Sequence, residues 1–516
     1  MTHPTPYAAR FPDKPAVVVA DTGAVLTYRE LDDQSKQLAQ AWHAAGLRPG
    51  DHVASIVGNH VRNLVGYWAA MRSGLYFTPI NTYLRHDEAA FVVENCQASA
   101  LIVEARFADL AAGLIHLPMA LRLSLDGPID GHQDYDDVMA RYPAEPLTDE
   151  PLGKVMAYSS GSTGRPKGIK RPLTGASIQD GDTAGLDYAR RAYAVGEDTV
   201  CLSPAPLYHA APLSFAAAVI GSGGTFIIME RFDPERFLAA VAQYRVTHAL
   251  VVPTMFVRLL RLPADVRAAA DVGSLRFAMH GASPCPVPVK RAMIDWWGPV
   301  ITEYYAGSED NGSTVISSAE WLEHPGSVGQ AFGDSVIHIC DAMGVEQPAG
   351  TDGIVYFESP SSRPFEYHGE GGKTSATRHP VHPAWTTLGD VGHLDDDGYL
   401  YLTDRTDYMI ISGGVNISPQ EIENVMIEHP DVLDVAVIGV PNEEFGEEVK
   451  AVVQPAEAAR VDDLPERLRT FVHERLARHK VPRTVDLVDA LPRSPAGKLY
   501  KRQLREKYLT TTHRKQ

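Results

Sequence analysis

The sequence predicts an α/β protein in which two packed α/β layers and a small antiparallel sheet or barrel precede a smaller α+β region. Strand and helix patterns alternate over residues 27–158 and again over 199–304, as expected for parallel sheets with helices on their faces. From about residue 325, short strands are separated by Gly and Asp turns, which is typical of a small antiparallel sheet or barrel. From about residue 407 the strand and helix patterns are mixed, which indicates the α+β region.

The first alternating series begins with a predicted helix over residues 27–46. Thr27 and Glu30 have the spacing of a capping box, apolar residues share one face, and Gly46 can end the helix. Further strands are predicted at 52–57, 75–80, 100–103 and 154–158, with helices at 61–72 and near 87–95. Residues 117–150 are rich in Pro, Asp and Gly and are interpreted as a connecting region.

The second series and the C-terminal region complete the predicted elements. Strands are expected at 199–203, 225–229, 248–252, 275–279 and 300–304, with helical patterns between them. In the C-terminal region, helices are predicted at 419–428 and about 464–478, and strands at 432–440 and 449–455. The most apolar stretch, 210–229, contains glycines and serines, so a buried helix followed by a buried strand explains it better than a membrane span.

Composition excludes several classes of function. The chain has 516 residues and a formal net charge of −18 without a basic block, which argues against nucleic-acid or anionic-membrane partners. Its four cysteines are far apart and form no Cys-x-x-Cys pair, so neither a disulfide framework nor a zinc site is expected. This cysteine usage, and an N-terminus without an apolar signal-peptide core, predict a cytoplasmic protein.

The most informative stretch is YSSGSTGRPKG, residues 158–168. Its glycines allow close backbone approach to a ligand, while N–H groups, hydroxyls and Lys167 can bind anionic oxygens. We therefore interpret it as a loop that wraps a polyphosphate. It differs from a Walker loop because Pro166 precedes the lysine and Gly168 follows it. An ordinary polar turn is the alternative.

Five motifs in order give the chain a resemblance to the adenylate-forming enzymes, which include acyl-CoA synthetases, nonribosomal-peptide adenylation domains and beetle luciferases. The loop YSSGSTGRPKG resembles their phosphate-loop signature. The other four motifs are YYAGSE (304–309), TLGDVG (387–392), DRTDYMIISGGVNISPQEIE (404–423) and PRSPAGKLYKR (492–502). Two residues depart from the family pattern, because Ala306 replaces a glycine and Ser308 replaces a threonine. The serine keeps the hydroxyl, whereas the resemblance implies that the extra methyl of Ala306 lies where the family's acyl pocket narrows.

The resemblance implies a fold, a reaction and a mobile domain. Residues 1–406 would bind AMP and the acyl group, and residues 407–516 would form a mobile C-terminal domain that turns about a hinge at Asp407. The implied activity is that of an ATP-dependent carboxylic acid–CoA ligase, which forms an acyl-adenylate, releases pyrophosphate and then transfers the acyl group to CoA. ATP, Mg²⁺ and the co-substrate CoA are the implied cofactors.

The resemblance also implies roles for individual residues. Lys498 would be the catalytic cation, and Glu309, helped by the Thr163 hydroxyl, would hold Mg²⁺. Asp390 and Arg405 would contact the ribose, and Tyr305 would stack on the adenine. The remaining ATP/AMP-binding residues would be Ser159, Ser160, Gly161, Ser162, Thr163, Gly164, Lys167, Gly281, Ala282, Ser283 and Ser308.

The motifs say less about the residues that would bind CoA and the acid, about the kind of acid, and about the oligomeric state. Gly413 and Gly414 would approach CoA, and His209 would act beside the acyl site or simply be a packed residue. The acyl pocket would be lined by His209, Phe215, Met255, Ala282 and Ala306. Fatty, aromatic and polycyclic acids all remain open, as does a homodimer. The alternatives in function are an acyl-AMP ligase that loads a carrier protein, a luciferase-like oxidation and a non-catalytic nucleotide-binding protein.

Overall fold

The computed structural model describes residues 3–159, 166–181, 183–360, 365–405, 408–412, 415–442, 444–457, 459–494 and 497–512. The helices are α1 Thr5–Arg10, α2 Tyr28–Ala44, α3 Val61–Met71, α4 His86–Asn95, α5 Ala108–Ala111, α6 Tyr135–Met139, α7 Thr183–Tyr193, α8 Ala210–Gly221, α9 Pro234–Gln243, α10 Pro253–Leu260, α11 Ala264–Ala269, α12 Val287–Trp297, α13 Ser318–Glu323, α14 Gly371–Ser375, α15 Pro419–Met426, α16 Leu464–His473 and α17 Lys501–Thr512. The strands are β1 Pro15–Val19, β2 Val25–Thr27, β3 His52–Ile56, β4 Tyr76–Pro79, β5 Ala98–Glu104, β6 Leu121–Leu125, β7 Gln133–Asp134, β8 Lys154–Val155, β9 Ala157–Ser159, β10 Lys167–Lys170, β11 Val200–Ser203, β12 Thr225–Ile228, β13 His248–Val251, β14 Phe277–His280, β15 Ile301–Ala306, β16 Ser313–Ser317, β17 Gln330–Ala331, β18 Val336–Cys340, β19 Gly353–Glu358, β20 Glu366–Tyr367, β21 Asp390–Leu394, β22 Leu400–Arg405, β23 Ile410–Ser412, β24 Val415–Ile417, β25 Val432–Asn442, β26 Gly446–Pro455 and β27 Thr484–Leu487.

The first alternating series forms a six-stranded parallel sheet in the order β7-β6-β5-β3-β4-β8. Helix α2 begins at the predicted capping box, in which the Glu30 N–H donates to the Thr27 hydroxyl and the Thr27 N–H donates to the Glu30 carboxylate. Its apolar face, which includes Trp42, is fully buried. The alternation of strands and helices predicted for this part of the chain is confirmed.

The second series forms a nine-stranded sheet in the order β17-β16-β15-β14-β13-β11-β12-β1-β2. Strands β11 to β15 run parallel, so the carboxyl ends of β11, β13, β14 and β15 lie at one edge of the sheet. The N-terminal strand β1, for which the sequence carried no prediction, pairs in parallel with β12. A shared hydrophobic core that includes Phe77 and Phe226 joins the two sheets, which confirms the two packed layers.

The region predicted as a connection, residues 117–150, contains two strands of the sheet, β6 and β7, and the short helix α6, so this prediction is wrong. Strand β6 pairs in parallel register with β5, and most of its side chains are buried. Its sequence, LRLSL, breaks the apolar run with Arg122, whose guanidinium donates to the carbonyl oxygen of Ile115 at 3.1 Å. Because that cation binds a local backbone carbonyl, a charged residue can occupy a strand that is otherwise buried.

The smaller sheets complete the larger part of the molecule. Strands β18, β19, β21 and β22 form an antiparallel sheet whose order is an open path of four strands, so the barrel expected from the sequence is better described as an open sheet. A separate three-stranded sheet has the order β20-β10-β9 and brings the two ends of the predicted phosphate loop together.

The C-terminal region has the predicted α+β structure. A sheet of β24, β23, β26, β25 and β27 packs against α15 and α16 around its own core, in which Ile422, Val437 and Leu468 are buried. The Arg261 guanidinium, in the larger part of the molecule, donates a hydrogen bond to the Val432 carbonyl oxygen in this region. Across the described ranges, every helix is too short or too polar to cross a membrane.

Candidate active site

A cleft of about 2990 Å³ lies at the carboxyl edge of the nine-stranded sheet and extends to the C-terminal region. Loops that follow β11, β13, β14 and β15 line it, because the carboxyl ends of parallel strands open onto the same edge. This volume exceeds the 300–1,000 Å³ that is usual for a single small-ligand pocket, roughly by a factor of three. It is large enough for several substrates at once.

Asp390, Arg405 and Tyr305 form one hydrogen-bonded cluster in the cleft. The Tyr305 hydroxyl donates to Asp390 Oδ2 at 2.6 Å, and Arg405 Nε donates to Asp390 Oδ1 at 2.9 Å. Asp390 lies on β21 directly opposite Arg405 on β22, so the antiparallel register fixes the ion pair. Burial, and then the Asp390 carboxylate, raise the pKa of Tyr305, which keeps its hydroxyl as a donor. Carboxylate oxygens accept more than one hydrogen bond each, so Asp390 can still accept from ribose hydroxyls.

Lys498 extends from the C-terminal region into the same cleft. Its side chain is exposed to the cleft but surrounded by protein, and this burial, followed by the charge of Arg405, lowers its pKa. Glu309 and Asp390 act on that pKa in the opposite direction. The structure thus brings the predicted catalytic cation into electrostatic range of three predicted site residues.

Two hydrogen bonds join Lys498 to Ser494, and the neighbouring Gly497 contacts the large domain. The Ser494 N–H donates to the Lys498 carbonyl oxygen at 2.8 Å, and the Lys498 N–H donates to the Ser494 hydroxyl at 3.1 Å. Gly497 has a φ of +78°, and a Cβ at this residue would lie 2.7 Å from the Thr254 hydroxyl. Glycine is therefore required both for the backbone conformation and for the close approach to α10.

Glu309 is buried, with only 7% of its surface exposed, and it follows β15 at the edge of the cleft. The Tyr367 hydroxyl donates to Glu309 Oε1 at 2.8 Å. The ammonium group of Lys167 lies 4.8 Å from the centroid of the same tyrosine ring. Tyr367 therefore connects the predicted metal-binding carboxylate with the predicted phosphate-binding lysine, and sequence reasoning missed it.

The residues around Glu309 fit a magnesium ion that is shared with ATP. The described residues contain no cluster of three or more His, Cys, Asp or Glu side chains that could hold a metal alone. Magnesium is usually bound by one or two carboxylates together with substrate phosphates, and Glu309 supplies such a carboxylate. Thr163, the second predicted ligand, lies outside the described residues.

The loop of residues 281–284, which contains the predicted ATP/AMP-binding residues Gly281, Ala282 and Ser283, follows β14 and lies against β15. A Cβ on Gly281 would lie 2.7 Å from the Tyr304 carbonyl oxygen and 2.9 Å from its ring. Ala282 has a φ of +68°, an uncommon conformation for a residue with a side chain. Gly281, Ala282 and Ser283 all line the cleft beside Tyr305.

The predicted acyl-pocket residues also lie around the cleft, where His209 is the N-cap residue of α8. Burial lowers the pKa of His209 to about 4, with a further contribution from Lys498, so the imidazole is neutral at pH 7. Among the described residues its Nε2 is buried without a hydrogen-bond partner. Phe215 and Met255 are buried, whereas Ala306 and Ser308 are exposed to the cleft.

Several predicted residues cannot be placed because they lie outside the described residues. These are Ser160, Gly161, Ser162, Thr163 and Gly164 of the phosphate loop, the hinge residue Asp407, and the CoA-binding residues Gly413 and Gly414. The two ends of the phosphate loop are described, and Ser159 and Lys167 pair across β9 and β10.

Comparisons with known proteins agree with this arrangement. A model of the AMP-binding enzymes matches residues 6–363, and a model of the AMP-binding enzyme C-terminal domain matches residues 421–498. A feruloyl-CoA synthase from Amycolatopsis sp is 34% identical over 500 residues, which cover 96% of each chain. A fatty acid–[acyl-carrier-protein] ligase, ScoC, from Streptomyces coeruleorubidus is 30% identical over 99% of this chain and 96% of its own.

A solved structure agrees at the level of the whole fold. The ATP-bound MatB from Rhodopseudomonas palustris superimposes with a TM-score of 0.82 at 27% identity, covering 98% of this chain and 99% of its own. The family models cover both parts of the chain that form the cleft. The chain therefore belongs to the AMP-binding enzyme family, the adenylate-forming superfamily.

Proposed function

We propose that this protein is an ATP-dependent carboxylic acid–CoA ligase. A carboxylate oxygen of the acid attacks the α-phosphorus of ATP, and pyrophosphate leaves with the bonding electrons of the P–O bond. The thiol of CoA then attacks the carbonyl carbon of the acyl-adenylate, AMP leaves, and the thiol proton passes to solvent. The proposal rests above all on the position of Lys498, which lies in one cleft with Glu309, Asp390 and Arg405.

Each residue of this chain would act by position and charge. The Lys498 ammonium would lie between the attacking carboxylate and the α-phosphate, where it neutralises charge that develops in the transition state. Asp390 and Arg405 would orient the ribose, and Tyr305 and the loop 281–284 would enclose the adenine. Neutral His209 would donate a hydrogen bond to the substrate carboxylate without adding charge. Magnesium, when bound by Glu309 and Thr163, would neutralise the phosphate charge.

The identities of the acyl acceptor and of the carboxylic acid are separate questions from the adenylation reaction. The names of the relatives include a feruloyl group and a fatty acyl group, and they include both CoA and an acyl carrier protein as acceptors. The second candidate is therefore an acyl-AMP ligase that loads a carrier protein. Pyrophosphate release over a panel of carboxylic acids tests the first step, and AMP release that depends on CoA separates the two candidates. Pyrophosphate release that does not depend on any carboxylic acid would contradict both candidate functions.

The pH profile of adenylation should reflect the lowered pKa of Lys498. The reaction requires the protonated ammonium, and a lowered pKa means that the proton is lost at a lower pH than the usual value of about 10.4. We therefore expect the rate of pyrophosphate release to decline as the pH is raised, with a midpoint below the usual pKa of lysine. Lys498→Arg should react more slowly but lose this alkaline decline, because guanidinium stays protonated. An identical decline in both proteins would assign it to another group.

A hinge at Asp407 would let the C-terminal domain serve both steps. Lys498 lines the cleft, and this position would serve adenylation. CoA transfer would then require a rotation that brings Gly413 and Gly414 to the site. Proline fixes the backbone angle φ, and Asp407→Pro should therefore reduce thioester formation from supplied acyl-AMP more than tenfold while pyrophosphate release continues. Normal rates of both steps in this variant would remove the hinge from the proposal.

A further inference from the structure

Both ends of helix α10 contact the C-terminal region, although this helix belongs to the large domain. In its first turn, the Thr254 hydroxyl lies beside Gly497, where a Cβ would come within 2.7 Å of it. At the other end, the guanidinium of the C-cap residue Arg261 donates a hydrogen bond to the Val432 carbonyl oxygen. These two ends of the helix are about 10 Å apart at the usual rise of 1.5 Å per residue. The C-terminal region therefore contacts α10 at two separate points.

Asp434, on strand β25, connects the Arg261 contact with the loop that carries Lys498. The Arg493 guanidinium donates to both carboxylate oxygens of Asp434, at 2.6 Å from Nε and 2.7 Å from Nη2. Arg493 Nη1 also donates to the carbonyl oxygen of Gly497, the residue before Lys498, at 2.8 Å. Arg261 lies within electrostatic range of the same carboxylate. A continuous set of polar contacts thus runs from α10 to the Lys498 loop.

The members of this set differ in what a movement of the C-terminal region would do to them. Arg493 and Asp434 both belong to that region, and their pair is largely enclosed, with side-chain exposures of 23% and 18%. A bidentate pair of this kind is strong and geometrically specific, so it would move as a unit with Lys498. Arg261 belongs to the large domain. A rotation away from α10 would therefore break the contacts of Arg261 and keep the pair intact.

Neither part of the molecule depends on Arg261 for its core. The apolar side chains of α10, which include Met255 and Phe256, are buried in the large domain. Val432 and Val437 are buried in the separate core of the C-terminal region. Arg261 follows the end of α10 and does not line the cleft. Its replacement should leave both parts folded and change the stability of their contact with each other.

We propose that Arg261 is a positioning residue for adenylation, because its contacts with Val432 and Asp434 hold the C-terminal region where Lys498 lines the cleft. The proposal rests on the proposed adenylation function, and Arg261 acts through Lys498 rather than on the substrates. A contact that exists in only one arrangement favours that arrangement, and a step that needs it slows as its population falls. Loss of Arg261 should therefore slow adenylation and spare CoA transfer, which is the reverse of the effect expected for Asp407→Pro.

The test measures both half-reactions of Arg261→Met in the full chain, with an acid that the wild type adenylates. Exchange of pyrophosphate into ATP should fall about tenfold in kcat, the effect of losing one charge-assisted hydrogen bond. The KM for ATP should stay within about twofold of the wild-type value, because the affected interaction is not a substrate contact. Thioester formation from supplied acyl-AMP and CoA should keep at least the wild-type rate. Asp434→Asn, which removes the charge and keeps the shape, should show the same split.

A conservative variant and a matched control distinguish positioning from general damage. Arg261→Lys should recover part of the exchange rate, because an ammonium can donate to the Val432 carbonyl oxygen and keeps the charge beside Asp434. Arg276→Met removes an arginine that pairs with Asp198 at 2.8 Å within the large domain, and should leave both half-reactions unchanged. Equal loss of both half-reactions in Arg261→Met would overturn the positioning role, and so would an unchanged exchange rate.

A measurement without turnover separates this proposal from the proposed function. If no carboxylic acid supports pyrophosphate exchange in the wild type, the proposed function fails, and hydrogen–deuterium exchange of the full chain decides the role of Arg261. The amides of residues 497–500 should then exchange several-fold faster in Arg261→Met than in the wild type, because the loop no longer stays against α10. They should be unaffected in Arg276→Met. Equal exchange in all three proteins would overturn the proposal.

Discussion

Replacing Lys498 by alanine should lower the rate of acyl-adenylate formation about a thousandfold, equivalent to about 4 kcal/mol of transition-state stabilisation. The Lys498 side chain is exposed to the cleft, and its ammonium lies within electrostatic range of Glu309 and Asp390, so it can stabilise charge that develops on substrates bound there. The exchange of pyrophosphate into ATP, measured with a saturating acid, reports this step directly. The affinity for ATP should change much less than the rate, because in the proposed site other residues would make the ribose and adenine contacts.

Two controls distinguish loss of the catalytic cation from general damage. Lys498→Ala should still form thioester from supplied acyl-AMP and CoA, since that step does not need charge neutralisation at the α-phosphate. Lys480→Ala removes an ammonium from the same domain, where it pairs with Glu421 at 2.7 Å, and should leave both steps near normal. Equal loss of both steps in Lys498→Ala would argue against the assigned role.

The local patterns of this sequence predicted most of the fold. Helix α2 is an example, because its capping box and apolar face are set by residues within one segment. Strand β6 was missed because Arg122 interrupts the apolar run, and a local carbonyl that binds this cation is visible only in three dimensions. Strand β1 was missed because its partner β12 is distant in the chain, and a short strand gains its stability from such pairing.

The motifs identified individual candidate residues, whereas the register of the sheets determines which side chains meet. Asp390 and Arg405 were predicted from separate motifs, and the pairing of β21 with β22 explains why they meet. Tyr367 belongs to none of the five motifs, and it reaches Glu309, 58 residues earlier, because β20 pairs with β10.

Replacing Glu309 by glutamine should reduce adenylation about a hundredfold and raise the concentration of Mg²⁺ that the enzyme needs. The carboxylate has 7% of its surface exposed, and one of its oxygens already accepts the Tyr367 hydroxyl. An amide keeps that hydrogen bond but loses the negative charge, so metal binding should weaken while the fold persists. Pyrophosphate release as a function of Mg²⁺ concentration measures the first effect.

Metal binding can also be followed without turnover, and Tyr367 provides a graded comparison. Binding of Mn²⁺ in the presence of a non-hydrolysable ATP analogue, followed by electron paramagnetic resonance, should weaken strongly in Glu309→Gln. It should weaken less in Tyr367→Phe, which keeps the ring beside Lys167 and loses only the hydroxyl that orients the carboxylate. Glu466→Gln is the matched control, because this exposed carboxylate on α16 pairs with Arg469 of the same helix and belongs to none of the five motifs. If Mn²⁺ binds equally well to Glu309→Gln and to the wild type, the carboxylate has no part in holding the metal, and Tyr367 would then act on the fold rather than on the metal site.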